Sequence, residues 1–392
     1  MPLEGLLVTE TAARLLSPVS CSQFLADWFE KRPLHVVRTE PRYYAPWVTH
    51  EGFTEALTTI HPDVLRLLSV KDDVRSGPVT WQRAIDAYRN GATIVANQLH
   101  LVMPTIARLC RGLEAWLHQP FQANAYLTPP GNQGFGAHFD VHDVFIIQVA
   151  GRKAWKVYQP SIPLPYSEQM EAVRIDGRNP TLDVVVGPGD LLYLPRGWIH
   201  EGRAVDGEAS LHFAIGMVSF TWGDLLAMTL RDLSLKDSRL RETFRMGPSA
   251  LPAVETATMA ADLVMSLLHE LQTRGLALAD ERFALARPAV SPRFPHPKAP
   301  ITPETRFIRD PLVIAVLRRR GDDVELSFQG KSLPFPPEVH EALEFIVARD
   351  GPFRAPEMPG PLDLVNRIRL LQYLCDEGML RRVSPGGSAD VR

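Results

Sequence analysis

Three residues of this chain have the types and spacing to hold a metal ion. His138 and Asp140 lie two apart in Gly134-Phe135-Gly136-Ala137-His138-Phe139-Asp140, which in an extended segment turns both side chains to one face. His200 closes Gly189-Asp190-Leu191-Leu192-Tyr193-Leu194-Pro195-Arg196-Gly197-Trp198-Ile199-His200, a stretch that reads as a tight turn, a short apolar strand and a histidine at its end. Two imidazoles and one carboxylate are the facial set that holds non-haem Fe(II) and leaves positions open for substrate and oxygen. The same ligands accept zinc, manganese or another divalent ion, and a hydrogen-bonded polar cluster in a β-sandwich is the plainer alternative. A lone His-x-Asp is a weak signal. Joined to a distant histidine behind a Gly-Asp turn, it becomes specific.

Strands must position these groups, and from Gln122 to about Phe220 the pattern is one of short strands with glycine and proline turns. Asn124 and Tyr126 alternate with Ala123, Ala125 and Leu127, so the two polar residues share a face. Gly151-Arg152-Lys153 separates the runs Asp143 to Val149 and Ala154 to Tyr158 and predicts a hairpin turn. Leu182 to Val186, Leu191 to Leu194 and Leu211 to Val218 add further strands. The density of short strands predicts a double-sheet jelly roll with a ligand-receiving open end.

Upstream, Phe24, Leu25, Trp28 and Phe29 have helical spacing, and Arg32-Pro33 ends that run before the extended Leu34 to Val37. Trp47 to Leu68 reads as helical in parts, punctuated by Pro62; Asp73 to Thr80 reads as a turn-rich connection. Trp81 to Asn90 and Met103 to Leu117 read as helices around a buried strand at Gly91 to Ala96. Downstream, Leu225, Leu226, Met228 to Leu230, Leu233 and Leu235 form one amphipathic helix. Leu263, Val264, Leu267, Leu268 and Leu271 stripe a second, over Thr256 to Arg274. Two helices alone bury little, so they are expected to pack on the barrel, on each other or on a second subunit. Pro288, Pro292, Pro295, Pro297, Pro300 and Pro303 mark a stiff linker. The last section, with Leu312 to Leu317, Val324 to Phe328, Pro337 to Arg349 and Leu362 to Glu377, has the order of a small winged-helix module.

At 392 residues the chain exceeds one ordinary core, so two or three domains are expected. A 45% hydrophobic and 22% charged composition is that of a soluble globular protein, and a formal charge of -3 gives no global reason to expect nucleic acid as partner. From Thr305 onward basic and acidic residues are equal in number, which opposes direct phosphate binding by the C-terminal module. Cys21, Cys110 and Cys375 are odd in number and scattered, so neither a disulfide framework nor structural zinc is expected and a reducing cytoplasm fits. Met1 to Leu16 lacks the basic flank and apolar run of an export signal. No segment has the ~20 apolar residues of a membrane span.

On these motifs, residues from about Phe24 to Val218 resemble the JmjC branch of the cupin superfamily. The added helices and C-terminal module resemble the bacterial and eukaryotic ribosomal oxygenases. The resemblance implies a mainly β protein with added α, divided into a JmjC/cupin double-stranded β-helix (jelly roll) catalytic domain at 1–220, a helical dimerisation region at 221–286, a Pro-rich linker at 287–304, a winged-helix-like domain at 305–383 and a disordered tail at 384–392. It implies that His138, Asp140 and His200 bind iron. It also places on Lys153 the binding of the distal carboxylate of 2-oxoglutarate, which needs a cationic or hydrogen-bonding partner; Arg152, Lys156 and Arg203 compete, and a hairpin could leave Lys153 in water. Asn124 and Tyr126 fall where related enzymes line the cosubstrate pocket. Asp190 is expected to secure a turn, His142 and Asp143 to stand behind the metal or at the substrate entrance, and His212 to face the barrel.

The implied activity is a protein hydroxylase that uses Fe(II), 2-oxoglutarate and dioxygen on an arginine or histidine side chain of a ribosomal protein. A homodimer is implied too. Alternatives are a hydroxylase tailoring a small peptide or natural product, a non-catalytic metal-binding interaction protein and, less favoured, a lysine demethylase.

Overall fold

A computed structural model describes residues 3–59, 65–68, 79–170, 173–175, 177–286, 301–309, 313–349 and 351–383. Most of the predicted linker, the tail and most of the Asp73 to Thr80 connection lie outside the described residues. The chain divides into two compact units, one built on Met1–Ser219 and the other on Phe220–Pro288, Ile301–Arg309 and Val313–Arg392.

The first unit starts with helices α1 (Leu3–Leu16) and α2 (Cys21–Asp27), strand β1 (Leu34–Val36), helix α3 (His50–Thr59) and strand β2 (Leu65–Leu68). Helix α4 (Trp81–Arg89), strand β3 (Thr93–Ala96) and helix α5 (Pro104–Leu117) follow. The strands β4 (Phe121–Thr128), β5 (Asp143–Ala150), β6 (Lys153–Tyr158), β7 (Leu182–Val186), β8 (Leu191–Leu194), β9 (Ile199–Ala204) and β10 (Ser210–Met217) complete it. They form a seven-stranded sheet, β1-β8-β5-β10-β4-β3-β2, and a three-stranded sheet, β7-β6-β9, with every pairing antiparallel. This is the expected double-sheet roll.

Alternation along each strand sends its side chains to two different environments. Phe121, Ala123, Phe145, Ile147, Phe213 and Tyr193 join the core containing Phe24, Ile106 and Leu109, so the outer face of the large sheet is covered by helices α2 and α5. Val144, Ile146 and Leu192 turn the other way, to meet Trp155, Val157 and Val186 of the small sheet. Helix α5 has Pro at its first turn and ends at His118, in left-handed conformation, as terminal geometry favours.

Two local expectations are corrected. Leu65 to Leu68, read with the preceding helix, is an edge strand paired with β3. Its alternation of buried Leu65 and Leu67 around exposed Arg66 is a two-residue period hidden in an apolar tetrapeptide. The predicted hairpin at Gly151 is a corner: β5 pairs with β10 and β8, whereas β6 pairs with β7 and β9 in the other sheet. Gly151 has φ of 61°, and a Cβ there would lie 1.8 Å from the Ala209 carbonyl oxygen, so only glycine fits. Because the chain changes sheets here, Lys153 starts a strand whose inward face is the barrel interior.

The second unit contains α6 (Trp222–Lys236) and α7 (Ala253–Ala286), the strands β11 (Arg306–Arg309), β12 (Ala315–Arg320), β13 (Asp323–Phe328) and β14 (Lys331–Phe335), helix α8 (His340–Ala348), strand β15 (Phe353–Arg354), helix α9 (Leu364–Asp376) and strand β16 (Leu380–Val383). Two three-stranded sheets, β12-β13-β14 and β15-β11-β16, share one core with α8 and α9 through Phe307, Leu326, Leu343 and Leu371. No helix among the described residues is long and apolar enough to cross a membrane.

Candidate active site

His138 reaches His200 by a two-way backbone bridge, with His138 N–H donating to His200 O at 3.1 Å and His200 N–H to His138 O at 2.7 Å. That bridge brings the early motif to the start of β9. Ligand atoms of His138, Asp140 and His200 all lie within 4.8 Å of one another. The Nδ1 of His138 is 2.9 Å from Gly136 O, and the Nδ1 of His200 is 2.9 Å from Trp198 O. Donation to these carbonyls fixes the tautomer in which Nε2 carries the free lone pair in both rings. Burial, reinforced by the neighbouring His138, lowers the His200 pKa to about 4. The ring is therefore neutral at pH 7, as a metal ligand must be. Burial pushes Asp140 upward, but the three imidazoles of His200, His142 and His138 overcome it and hold the carboxyl below its ordinary value. The donor set fits a divalent ion with open positions.

Beside these groups lies a buried cation. Lys153 is 4% exposed; its Nζ stands 3.5 Å from Thr128 Oγ1 and 5.1 Å from the centre of the Trp155 ring. Among the described residues it has no carboxylate partner, and burial alone lowers its pKa to about 7. An ammonium kept from water without a counterion is unfavourable by several kcal/mol, and a bound anion would relieve that cost. The competing bases point elsewhere. Arg152 pairs with Glu208 and Arg203 with Asp206 at exposed positions, while Lys156 is exposed on the outer face of β6.

Asn124, Tyr126 and Thr128 project from one face of β4 toward this lysine's side of the roll. The Tyr126 phenol, raised in pKa by burial and by Asp140, is within hydrogen-bonding reach of Asn124. Asn124 Oδ1 also accepts from Gln98 N–H at 2.9 Å. His212 faces the interior as expected, stacked on Tyr126 with centroids 4.8 Å apart. Burial and the nearby Lys153 keep it neutral. Asp190 does secure a turn: its Oδ2 accepts from Gly187 N–H and its Oδ1 from Arg38 N–H, each at 2.8 Å.

His142 lies against Gly216 of β10, where an added Cβ would come within 2.7 Å of its ring. Asp143 lies on the helix-covered face of the large sheet, bonded to Tyr193, so the entrance reading fails for it.

Sequence reasoning missed Thr128, Trp155 and Gly202. Thr128 continues the two-residue spacing of Asn124 and Tyr126, and Trp155 that of Lys153, so the signal was available. Gly202 gave none: its need for hydrogen arises across the sheet, where a Cβ would be 2.9 Å from the Trp155 ring and 3.0 Å from Lys153 Cε.

Comparison with known proteins accords with this geometry. A family model described as the JmjC domain matches residues 98–225. Ribosomal oxygenase 2 of Bos taurus is 30% identical over 307 residues, covering 69% of this chain and 63% of the relative. Ribosomal oxygenase 1 of Gallus gallus is 32% identical over 228 residues, covering 55% and 38%. The bifunctional lysine-specific demethylase and histidyl-hydroxylase NO66 of Drosophila pseudoobscura pseudoobscura is 31% identical over 217 residues, covering 52% and 22%. The chain thus spans between about a fifth and two thirds of the length of these relatives. Among solved structures, the Escherichia coli ribosomal oxygenase YcfD in complex with cobalt and 2-oxoglutarate superposes with a TM-score of 0.58 at 19% identity, covering 94% of this chain and 99% of that one. Residues 98–225 match the JmjC domain family, and the chain shares the fold of the Escherichia coli ribosomal oxygenase.

Proposed function

We propose that this chain is an Fe(II)- and 2-oxoglutarate-dependent oxygenase that hydroxylates a side chain of a ribosomal protein. The observation that carries this reading is the pairing of a three-residue divalent-metal set with Lys153, a buried cation without a carboxylate partner among the described residues. A 2-oxo dicarboxylate matches both: one end chelates a metal and the other offers a carboxylate. The structural relative solved with cobalt and 2-oxoglutarate supports the same reading.

His138, Asp140 and His200 would hold the iron, which when bound supplies the oxidative chemistry with dioxygen and the 2-oxo acid. Lys153, with the Thr128 hydroxyl beside it, would take the distal carboxylate, and Tyr126 and Asn124 would line the channel between. Trp155 and the neutral His212 wall this space, keeping water from the charged pair and strengthening it. The Gly136 and Trp198 carbonyls hold the two imidazoles in the tautomer that leaves Nε2 free.

A ribosomal substrate is inferred from the relatives' names, with arginine or histidine as the target residue. To test it, proteins from a deletion strain of the host are incubated with enzyme, Fe(II), 2-oxoglutarate and oxygen-18, with His200→Ala enzyme as control, and labelled peptides are mapped by mass spectrometry. A recurrent labelled ribosomal site is expected. Label confined to a metabolite or biosynthetic peptide would overturn the substrate class. Because one group of relatives bears a demethylase name, formaldehyde release is measured in parallel; its appearance without retained label would establish the demethylase reading instead. Failure to consume 2-oxoglutarate with any host fraction would favour a metal-binding interaction protein. The expected compartment is the cytoplasm.

For the second unit we propose a homodimer contact through α6 and α7. Leu225 and Leu233 are buried within the unit, but Trp222, Leu226, Leu230, Val264, Met265 and Leu268 remain exposed. A twofold contact would cover such an apolar face. Sedimentation equilibrium is expected to give twice the chain mass at micromolar concentration, and Leu230→Glu with Leu268→Glu to shift it toward one chain. A monomer throughout that range would overturn the dimer. The 305–383 region is read as a winged-helix-like module, with no direct nucleic-acid binding expected of it.

A further inference from the structure

Behind the candidate metal ligands, on the helix-covered side of the large sheet, lies a second polar chain, buried except at the Glu30 side chain. Tyr193 Oη donates to Asp143 Oδ1 at 2.5 Å and accepts from the Glu30 backbone N–H at 2.9 Å. The Glu30 carboxylate accepts from Arg196 Nη2 at 2.8 Å. Next to Arg196, the Gly197 N–H donates to the main-chain oxygen of Asp140 at 2.8 Å. The chain therefore joins three pieces of backbone: the turn after α2, the β8–β9 turn that leads to His200, and the segment from Asp140 into β5.

Two features argue that this arrangement does more than fill space. Glu30 has φ of 55°, an unfavourable conformation for a non-glycine residue, and the strained backbone aims its N–H at Tyr193. Asp143 is 0% exposed, and among the described residues its Oδ2 has no hydrogen-bond partner at ordinary bonding geometry, the Arg196 backbone N–H being the group that approaches its carboxyl. Replacing a buried charged pair by apolar residues is often neutral or stabilising. Groups held at such a cost accumulate where geometry matters.

We propose that Asp143, Tyr193, Glu30 and Arg196 form a positioning relay that fixes the spacing between the Asp140 segment and the His200 turn, with the turn after α2 as its anchor. The relay rests on the reading of His138, Asp140 and His200 as metal ligands, and acts through them without touching the ion. Groups that hydrogen-bond a metal's ligands change its affinity ~10–100-fold when removed; these residues stand a step further from the ligands, so an effect at the low end of that range is expected.

The test is anaerobic Co(II) titration of the full chain, followed by visible absorption and by calorimetry, for wild type, Tyr193→Phe and Glu30→Gln. Tyr193→Phe keeps the ring packed against Phe24 and Phe145 and removes only the hydroxyl. Glu30→Gln keeps the backbone donor and weakens the link to Arg196, at a part-exposed site that tolerates the change. The expected result is Co(II) binding weakened about 10-fold or more in both variants, with altered ligand-field bands. Thermal melting of metal-free protein reports folding separately. Wild-type affinity and spectrum in both variants would overturn the relay while leaving the metal site standing. Weaker binding with an unchanged spectrum, in proportion to lost metal-free stability, would assign the chain to folding alone and also overturn it. If wild type itself binds no Co(II), the metal reading fails and the relay with it.

Discussion

Alanine at His138, Asp140 or His200 is expected to weaken Fe(II) binding ~100-fold or more, beyond the ~10–100-fold typical of losing an outer partner. The reason is that three protein atoms converge and each is prepared in advance. Both imidazoles have their Nδ1 committed to a carbonyl, and the Asp140 carboxyl is held below its ordinary value despite its burial. Deleting one leaves two ligands, which divalent ions meet on ordinary surfaces without tight binding. Anaerobic Fe(II) titration should give about one ion per chain for the wild type and no saturable site at micromolar metal for the variants. Unchanged stoichiometry and affinity in all three variants would remove this assignment.

The sequence carried the ligand set because a strand's two-residue period is local. His138 and Asp140 need nothing beyond their neighbours to share a face, and the glycine–aspartate turn announces the strand before His200. What it could not carry was pairing between distant strands. Whether Gly151 begins a hairpin or a corner depends on which strand β6 finds, and β6 finds β7 and β9. The consequence was large: the same lysine is solvated in one case and buried in the other. The role of Glu30 was invisible for a similar reason, since its partners Tyr193 and Arg196 are more than 160 positions away. Helices were legible through their apolar stripes. The strand at Leu65 was not, because four residues are too few to separate a two-residue period from a helical one.

Lys153→Met is expected to weaken 2-oxoglutarate binding about 100-fold or more while leaving Co(II) affinity nearly unchanged. Truncating one partner of a buried charge pair costs ~2–5 kcal/mol, because the other charge stays desolvated, and every ~1.4 kcal/mol is a factor of ten. The wild-type interaction should also depend on pH with a definite sign. Lys153 in the unliganded fold has a pKa near 7, against 10.5 for the free side chain. Between those values the unfolded chain holds a proton that the fold does not, so this group's contribution to stability rises with pH across that window and its desolvation cost is fully present below about pH 7. A bound dicarboxylate favours the ammonium and raises the pKa again. Binding above pH 7 must then take up a proton, and the dissociation constant should climb by up to ~10-fold per pH unit from about pH 7 upward. Calorimetry of Co(II)-loaded protein in two buffers of different ionisation enthalpy would read the proton uptake directly. Lys153→Met should abolish that uptake and, having no ammonium to desolvate, should melt at a higher temperature than the wild type near pH 6. A variant that binds 2-oxoglutarate as tightly as the wild type would move the carboxylate contact from Lys153 to the hydroxyls of Thr128 and Tyr126.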